Sequence, residues 1–279
     1  MRPLEYQKRN KSMKQYNKIF MQRKSSLLNS KHKTRDQIIF LLMILGVWEV
    51  IVKLKVYPES LFPSVSTVIE RLLYMFFHES LISKIIFSLG IVFFALIVSL
   101  IIAFGLVCVS KKINFFKNGI SLINGIASPL PGVAVLPIVI LWMGISSTSM
   151  ILIMIHAMVW PLYSTLLLSA DRLSSQYSRM IKVFRIDFKT MMIQIYLRGM
   201  MPDLLSGIEI AWSRGWRALI SIEMIFGIVG KNSGLGWLIY ERRMYMDTSG
   251  MIAGLVAIAM CGTIFERLIH FAQQREVVS

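Results

Sequence analysis

Four ionisable residues, Glu209, Arg214, Arg217 and Glu223, stand in the otherwise apolar stretch LLSGIEIAWSRGWRALISIEMIFG. Helical neighbours meet three or four positions apart, yet Glu209 to Arg214 is five and Arg217 to Glu223 is six. Their partners must therefore lie elsewhere. Charge inside a membrane is expensive, so such groups face a bundle interior or a watery path. The Arg217 guanidinium matches the oxygens of a sulfonate or carboxylate and can attract an anionic solute; equally, it can pair with a neighbouring helix. Trp212 and Trp216, like Trp142, suit packing or interfacial anchoring. His156 is either a proton or ligand group or a hydrogen-bonded interior histidine. Pro129, Pro131 and Pro137 free backbone carbonyls in an apolar run, which a membrane tolerates only beside protein or a water-filled cavity. Pro131, Trp212, Trp216 and Arg217 are the candidates for lining such a path.

Other chemistries are poorly served. No HExxH, GxSxG or paired His/Cys ligand set occurs, and Cys108 and Cys261 lie in separate apolar runs as small packing residues. GIVGKNSG looks phosphate-like but departs from GxxxxGK[ST], so a process driven by ATP would need its engine on another polypeptide.

The elements that must hold these residues are membrane helices. The chain has 279 residues, 55% hydrophobic and 16% charged, with mean hydropathy +0.62 and formal charge +16. The apolar share exceeds the roughly 45–50% of soluble domains, and charge falls below the usual ~25%. A nucleic-acid binder would gather its basic residues on a soluble domain; here they fill gaps between apolar runs, which excludes nucleic acid as the partner. A span needs about 20 mostly apolar residues. Six are expected, at 37–53, 85–109, 121–143, 149–169, 205–229 and 250–270. The third is interrupted by prolines and the fifth carries charges, so both belong in the interior. The first is read as uncleaved, since no small-residue cleavage site follows it.

Orientation follows from Lys and Arg in the gaps. The N-terminus, the second gap and the fourth gap carry twenty, against seven in the others. Both termini are therefore expected in the cytoplasm, with a basic tail over 1–36, a six-helix membrane domain over 37–270, a cytoplasmic loop over 170–204 and a short tail over 271–279. In the first external gap, Val68, Leu72, Met75 and Phe76 recur at helical spacing after Pro58 and Pro63, predicting a short interfacial helix.

The loop contains SRMIKVFRIDFKTMMIQIYLRGMMP, residues 178–202. Ile181, Phe184, Phe188, Met191 and Ile195 fall within about an 80° arc, with Lys182, Arg185 and Lys189 opposite. This predicts one amphipathic helix that can lie on anionic membrane lipid, extend a span or dock on a cytoplasmic partner.

Taken in order, LFPSVSTVIERL, SPLPGVAVLPIVILWMGI, VWPLYSTLLLSADRL, this basic segment, the ionisable stretch and GLGWLIYERRMYMDTSGMIAGL resemble the permease subunits of bacterial ABC importers, specifically the nitrate, taurine and aliphatic-sulfonate group. The resemblance covers nearly everything after residue 36. WRALISIEM, containing Glu223, is similar to the W-R-A-L-x-x-x-E-M of that group, which implies that Glu223 is a further candidate pathway residue, and Pro202 and Gly207 are similar to its P-x4-G. In that family a loop motif, E-A-A-x-x-x-G-x9-I-x-L-P, forms a coupling helix on the ATPase. With Ile195 and Leu197 as its I-x-L, the Glu-Ala-Ala falls on Arg179, Met180 and Ile181, the glycine on Arg185 and the proline on Arg198. Spacing survives while the signature residues are replaced.

The resemblance implies an all-α integral membrane protein with a MetI-like importer-permease core. Its ATPase-coupling residues would be Arg179, Ile181, Lys182, Phe184, Arg185, Ile186, Asp187 and Phe188. It implies an ATPase dimer carrying ATP and Mg, no cofactor on this chain, a second permease copy and an extracytoplasmic solute-binding protein, all at the bacterial inner membrane. The solute would be a small organic anion. Alternatives are a pyrimidine- or thiamine-precursor importer permease, or a secondary transporter or channel independent of an ATPase.

Overall fold

The computed structural model describes residues 35–229 and 232–276; within them the side chains of Ile181, Lys182, Phe188, Met192, Gln194, Ile195, Leu197 and 274–276 lie outside the description. The basic tail over 1–34 and Lys231 also lie outside it. Regular structure among the described residues is helical, apart from one isolated bridge between Val229 and Asn232. The chain forms two compact units, Met1–Thr67 and Val68–Ser279.

In the first unit, α1 covers 35–53. Glu49 interrupts its apolar run for a local reason: its Oε2 accepts the Val65 N–H at 3.1 Å, one of the unpaired donors that begin a helix. Trp48 Nε1 donates to the Pro63 carbonyl at 3.0 Å, and its ring packs on Phe62. Ser64 Oγ accepts the Thr67 N–H at 3.1 Å, as an N-cap does. The helix expected after Pro63 is α2, Val65–His78.

In the second unit, α3 runs Leu81–Lys112, about 48 Å at 1.5 Å per residue. Its buried face includes the small residues Ser88, Ala95, Ser99 and Ala103, which allow close approach of neighbouring helices. Next, α4, Asn114–Ala127, and a 3-10 turn with α5, Gly132–Val135 and Leu136–Met143, meet at 94°. Pro129 and Pro131 explain the bend, since each removes a helical donor, whereas Pro137 falls in the first turn of α5, where a proline is tolerated. At its inner side Gly132 presses against α6 and α7: a Cβ there would lie 3.3 Å from Ala157 and 3.4 Å from Ala218.

Ser146 caps α6, Ser147–Val183, by accepting the Ser149 N–H at 3.1 Å. α7, Met201–Phe226, carries a stripe of small residues, Gly207, Ala211 and Gly215, at four-residue spacing. Gly215 sits so close to Met158 that an added Cβ would fall 1.7 Å from its Cε. This stripe lets α7 pack tightly on α6. After α8, Leu235–Met244, Asp247 begins α9, Thr248–Glu276, by accepting the Gly250 N–H at 2.8 Å.

Among the described residues three helices are long and apolar enough to cross a membrane: Leu81–Lys112, Ser147–Met180 and Thr248–Gln273; the bent pair makes a fourth if it is one span. α7 is not among them, because Asp203, Glu209, Arg214, Arg217 and Glu223 interrupt it.

The single amphipathic helix expected through 181–195 is interrupted. α6 carries on to Val183, and Arg185 then takes φ 49, the left-handed region that ends a helix. Asp187 Oδ2 accepts the Thr190 N–H at 3.1 Å and starts a new turn, followed by a π-helical stretch over Met191–Tyr196. Positions 181 and 195 therefore do not belong to one continuous helix. The 100° rule fails because a turn intervenes.

Candidate functional site

The ionisable residues of α7 divide between two environments. Glu223 is 1% exposed. Its Oε1 accepts from Ser88 Oγ of α3 at 2.7 Å, and its Oε2 accepts the Gly236 N–H at 2.8 Å. Ser88 Oγ in turn accepts the Leu235 N–H at 3.0 Å. Carboxylate and hydroxyl thus satisfy the opening donors of α8, where negative charge is favoured. Glycine is required here: a Cβ on Gly236 would sit 2.3 Å from the Ile220 carbonyl oxygen, and one on Gly234 2.0 Å from Glu223 Oε1. Nearby, Lys84 Nζ donates to Ser233 Oγ at 2.7 Å.

Two turns earlier, Arg214 and Arg217 are exposed. Arg214 Nη1 donates to the carbonyl and hydroxyl of Ser128 at 3.3 and 3.4 Å. Arg217 corrects the expectation of a partner on another element: its Nε and Nη2 donate to the carbonyl and hydroxyl of Ser213 on its own helix, at 2.9 and 3.3 Å. No ion pair reaches either guanidinium among the described residues. Both line a cavity of ≈ 380 Å³ whose opposite wall is the proline-broken segment Ser128–Val133 with His156. His156 Nδ1 accepts from Trp160 Nε1 at 3.3 Å. A second cleft of ≈ 290 Å³ shares the arginines and adds Glu209, Ile210, Ser213 and Glu266.

Trp212 and Trp216, 1% and 6% exposed, stack at 5.7 Å between centroids, and Trp212 also meets Phe93 and Phe265. They join α3, α7 and α9 as packing residues and line neither cavity. Trp142, by contrast, is 77% exposed on α5.

At the end of α6, Asp171 binds Lys111 Nζ of α3 at 3.0 Å and Lys117 Nζ of α4 at 2.8 Å. Lys111 also donates to Ser174 Oγ at 2.6 Å and lies over the Tyr196 ring. Tyr196, buried, shares a hydrogen bond with Ser174. The segment following Arg185 is thereby tied to three helices. Phe184, Arg185 and Asp187 are exposed, and Ile186 is half-buried. Hydrogen bonds from Thr190 hold the Asp187 carboxyl below its ordinary value.

A family model described as "Binding-protein-dependent transport system inner membrane component" matches residues 95–277, well over half the chain. The chain belongs to this family of transport permeases. It is 25% identical over 242 residues to the taurine transport system permease protein TauC of Escherichia coli (strain K12), covering 84% of this chain and 86% of that one. It is 21% identical over 238 residues to the putative aliphatic sulfonates transport permease protein SsuC of Bacillus subtilis (strain 168), covering 84% and 83%. The nitrate import permease protein NrtB of Leptolyngbya laminosa matches at 22% over 148 residues, covering 53% and 52%. The permease is a membrane transport subunit rather than an enzyme.

Of the pathway candidates, the permease brings Pro131 and Arg217 to one cavity and places Trp212, Trp216 and Glu223 in packed interior. Of the coupling candidates, Arg179, Phe184, Arg185, Ile186 and Asp187 are described, while the side chains of Ile181, Lys182 and Phe188 lie outside the description. Sequence reasoning overlooked the bridge formed by Asp171, and also an ionic cluster near α2. There, Arg71 donates to Glu79 and Asp247, each at 2.8 Å. Arg242 meets the same two carboxylates at 2.6 and 3.4 Å. Burial works to raise the Asp247 carboxyl, but hydrogen bonds from Arg71, the Gly250 N–H and Ser249, with the Arg71 charge, hold it below the ordinary value. The members are up to 176 positions apart in sequence, and only the tendency of partly buried charge to pair signalled them.

Proposed function

We propose that the chain is the permease subunit of an ATP-driven ABC importer, forming the path for a small anionic organic solute. The six spans are α1, α3, the bent pair, α6, α7 and α9, with both termini in the cytoplasm of a bacterial inner membrane. The observation that carries this reading is the exposed pair of guanidinia, Arg214 and Arg217, without a carboxylate partner among the described residues and facing a proline-broken helix across a cavity. A guanidinium without a carboxylate partner attracts an anion, and oxyanions such as sulfonate or carboxylate suit its fork. The transport roles printed in the names of its relatives accord with such a solute.

Residues 179–188 dock on a cytoplasmic ATPase dimer that holds the ATP and Mg. A second permease copy completes the path, and an extracytoplasmic binding protein delivers solute. Movement of the docked segment passes through Tyr196 and Ser174 to Lys111, Asp171 and Lys117, and so to α4 and the bend that borders the cavity. The cycle alternates outward-open and inward-open states driven by the ATPase.

The test is gentle detergent extraction followed by reconstitution with the co-purifying ATPase and binding protein. ATP-dependent uptake of a labelled sulfonate is expected. Uptake by the isolated chain under an ion gradient, without ATP, would overturn the assignment.

A further inference from the structure

We propose that a cavity at the end of α1 seats the head group of a membrane phospholipid and selects one with a primary ammonium, phosphatidylethanolamine; the proposal rests on the reading of α1 as a membrane span. The cavity, ≈ 620 Å³, lies within the first unit, and its walls include Glu49, Val52 and Lys53 of α1 and Lys55, Tyr57 and Glu59 of the loop that follows. Earlier on α1, Phe40, Leu41, Leu42 and Val50 point to all sides of the helix, and each is more than half exposed. A helix apolar all round suits hydrocarbon. The cavity begins at Glu49, where that apolar run gives way to charge, and so stands at the level where hydrocarbon ends. Tyr57 meets Phe62 at 6.3 Å and Phe62 meets Trp48 at 5.6 Å between centroids. Tryptophan and tyrosine gather at that same level. A ligand here has hydrocarbon on one side and water on the other, which is the position of a lipid.

The lining sets the head group. Two ammonium groups and two carboxylates share it, those of Lys53, Lys55, Glu49 and Glu59, and among the described residues no ion pair joins any of the four. Glu49 and Lys53 are four apart, the spacing at which such pairs form on a helix, yet they stand apart. The Val65 N–H instead fixes Glu49 through Oε2 at 3.1 Å, which leaves Oε1 to accept from a ligand. A phosphodiester suits Lys53 and Lys55, and an ammonium with N–H donors suits Glu49 and Glu59. Phosphatidylethanolamine supplies both. Phosphatidylcholine carries the positive charge without an N–H to donate. Phosphatidylglycerol brings the phosphate alone and leaves both carboxylates uncompensated. That difference is the source of selectivity.

The full-length permease is placed in bilayers of two phospholipids in equal amounts, one of them with brominated acyl chains, and Trp48 emission is read as the difference between wild type and W48F. Bromine quenches a nearby indole, so exchanging which lipid carries it gives the relative affinity of the two beside Trp48. Phosphatidylethanolamine should be preferred over phosphatidylcholine and over phosphatidylglycerol about fivefold or more, within the worth of one charge-assisted hydrogen bond. E59Q should lower that preference, and K53Q with K55Q should bring it near one, with thermal unfolding unchanged in both. K112Q, on α3, should leave it unaltered. Soluble glycerophosphoethanolamine should not relieve the quenching; relief would mean a soluble ligand and overturn the lipid assignment. Equal quenching by all three lipids, or a preference untouched by both lining variants or lowered as much by K112Q, overturns the head-group site while α1 remains a span. Absence of Trp48 quenching by any brominated lipid overturns the span and the site together.

Discussion

Glu223 and the arginine pair Arg214 and Arg217 stand on one helix within ten residues, yet they solve the problem of charge among apolar neighbours in opposite ways. Glu223 is sealed, with both oxygens bound to α3 and α8 and glycines shaped around it. The arginines are open, held by Ser128 and Ser213, and face two cavities. Residue type does not distinguish them; satisfaction does. A charge whose hydrogen bonds are complete stabilises structure, whereas one oriented but unmatched is available to a ligand.

The sharpest way to break this comparison is to truncate the sealed member. E223A leaves the Gly236 N–H and the Ser88 hydroxyl without their acceptor, and at roughly 1–3 kcal/mol for each unsatisfied donor should be strongly destabilising, read as early thermal aggregation. E223Q, which keeps an acceptor, should lose about 1 kcal/mol. If E223A unfolds like wild type, Glu223 is not a structural anchor.

At the open site the expected pattern is reversed. R217A should leave thermal unfolding within about 0.5 kcal/mol of wild type while reducing sulfonate uptake by the assembled importer roughly tenfold or more. A large loss of stability with unchanged uptake would place Arg217 with Glu223.

The ionic cluster of Arg71, Glu79, Arg242 and Asp247 belongs with the satisfied groups, so its charge should register in stability. D247N should cost about 2 kcal/mol. The folded Asp247 carboxyl lies below its unfolded value of about 4, so its contribution is complete above that value and lost as pH falls through the folded one. Thermal melts between neutral and acid pH should therefore show a falling midpoint in wild type and a shallower fall in D247N.

The smallest effect is expected at Arg185, whose φ of 49 is the conformation glycine accepts without strain. R185G should stabilise the turn by about 1 kcal/mol, seen as slower proteolysis of the 184–199 segment. A loss of stability would mean that the Arg185 side chain, rather than its backbone, holds the turn.

Much of the fold was legible because long apolar runs admit few solutions. α3, α6 and α9 follow from length and hydropathy, and the break in the third apolar run follows from Pro129 and Pro131. Helix α2 was legible from the spacing of Val68, Leu72, Met75 and Phe76. The segment after Val183 was misread as one helix, because a left-handed arginine leaves no trace in an apolar periodicity. Pro131 and Arg217 line one cavity, as suits backbone breaks and intramembrane charge that share a need for polar surroundings. Trp212 and Trp216 were not separable from pathway residues, because indole suits packing and ligand alike.

By itself the amino-acid sequence determined that this chain is helical, enters a membrane and carries more charge on one helix than hydrocarbon tolerates, because composition and period act locally. Which of those charges is sealed and which is open was decided by tertiary structure alone. Ser88 lies 135 positions from Glu223, Ser128 lies 86 from Arg214 and Gln273 lies 64 from Glu209. Solvation of a charge depends on what the fold brings within about 3 Å, and no local pattern encodes that distance.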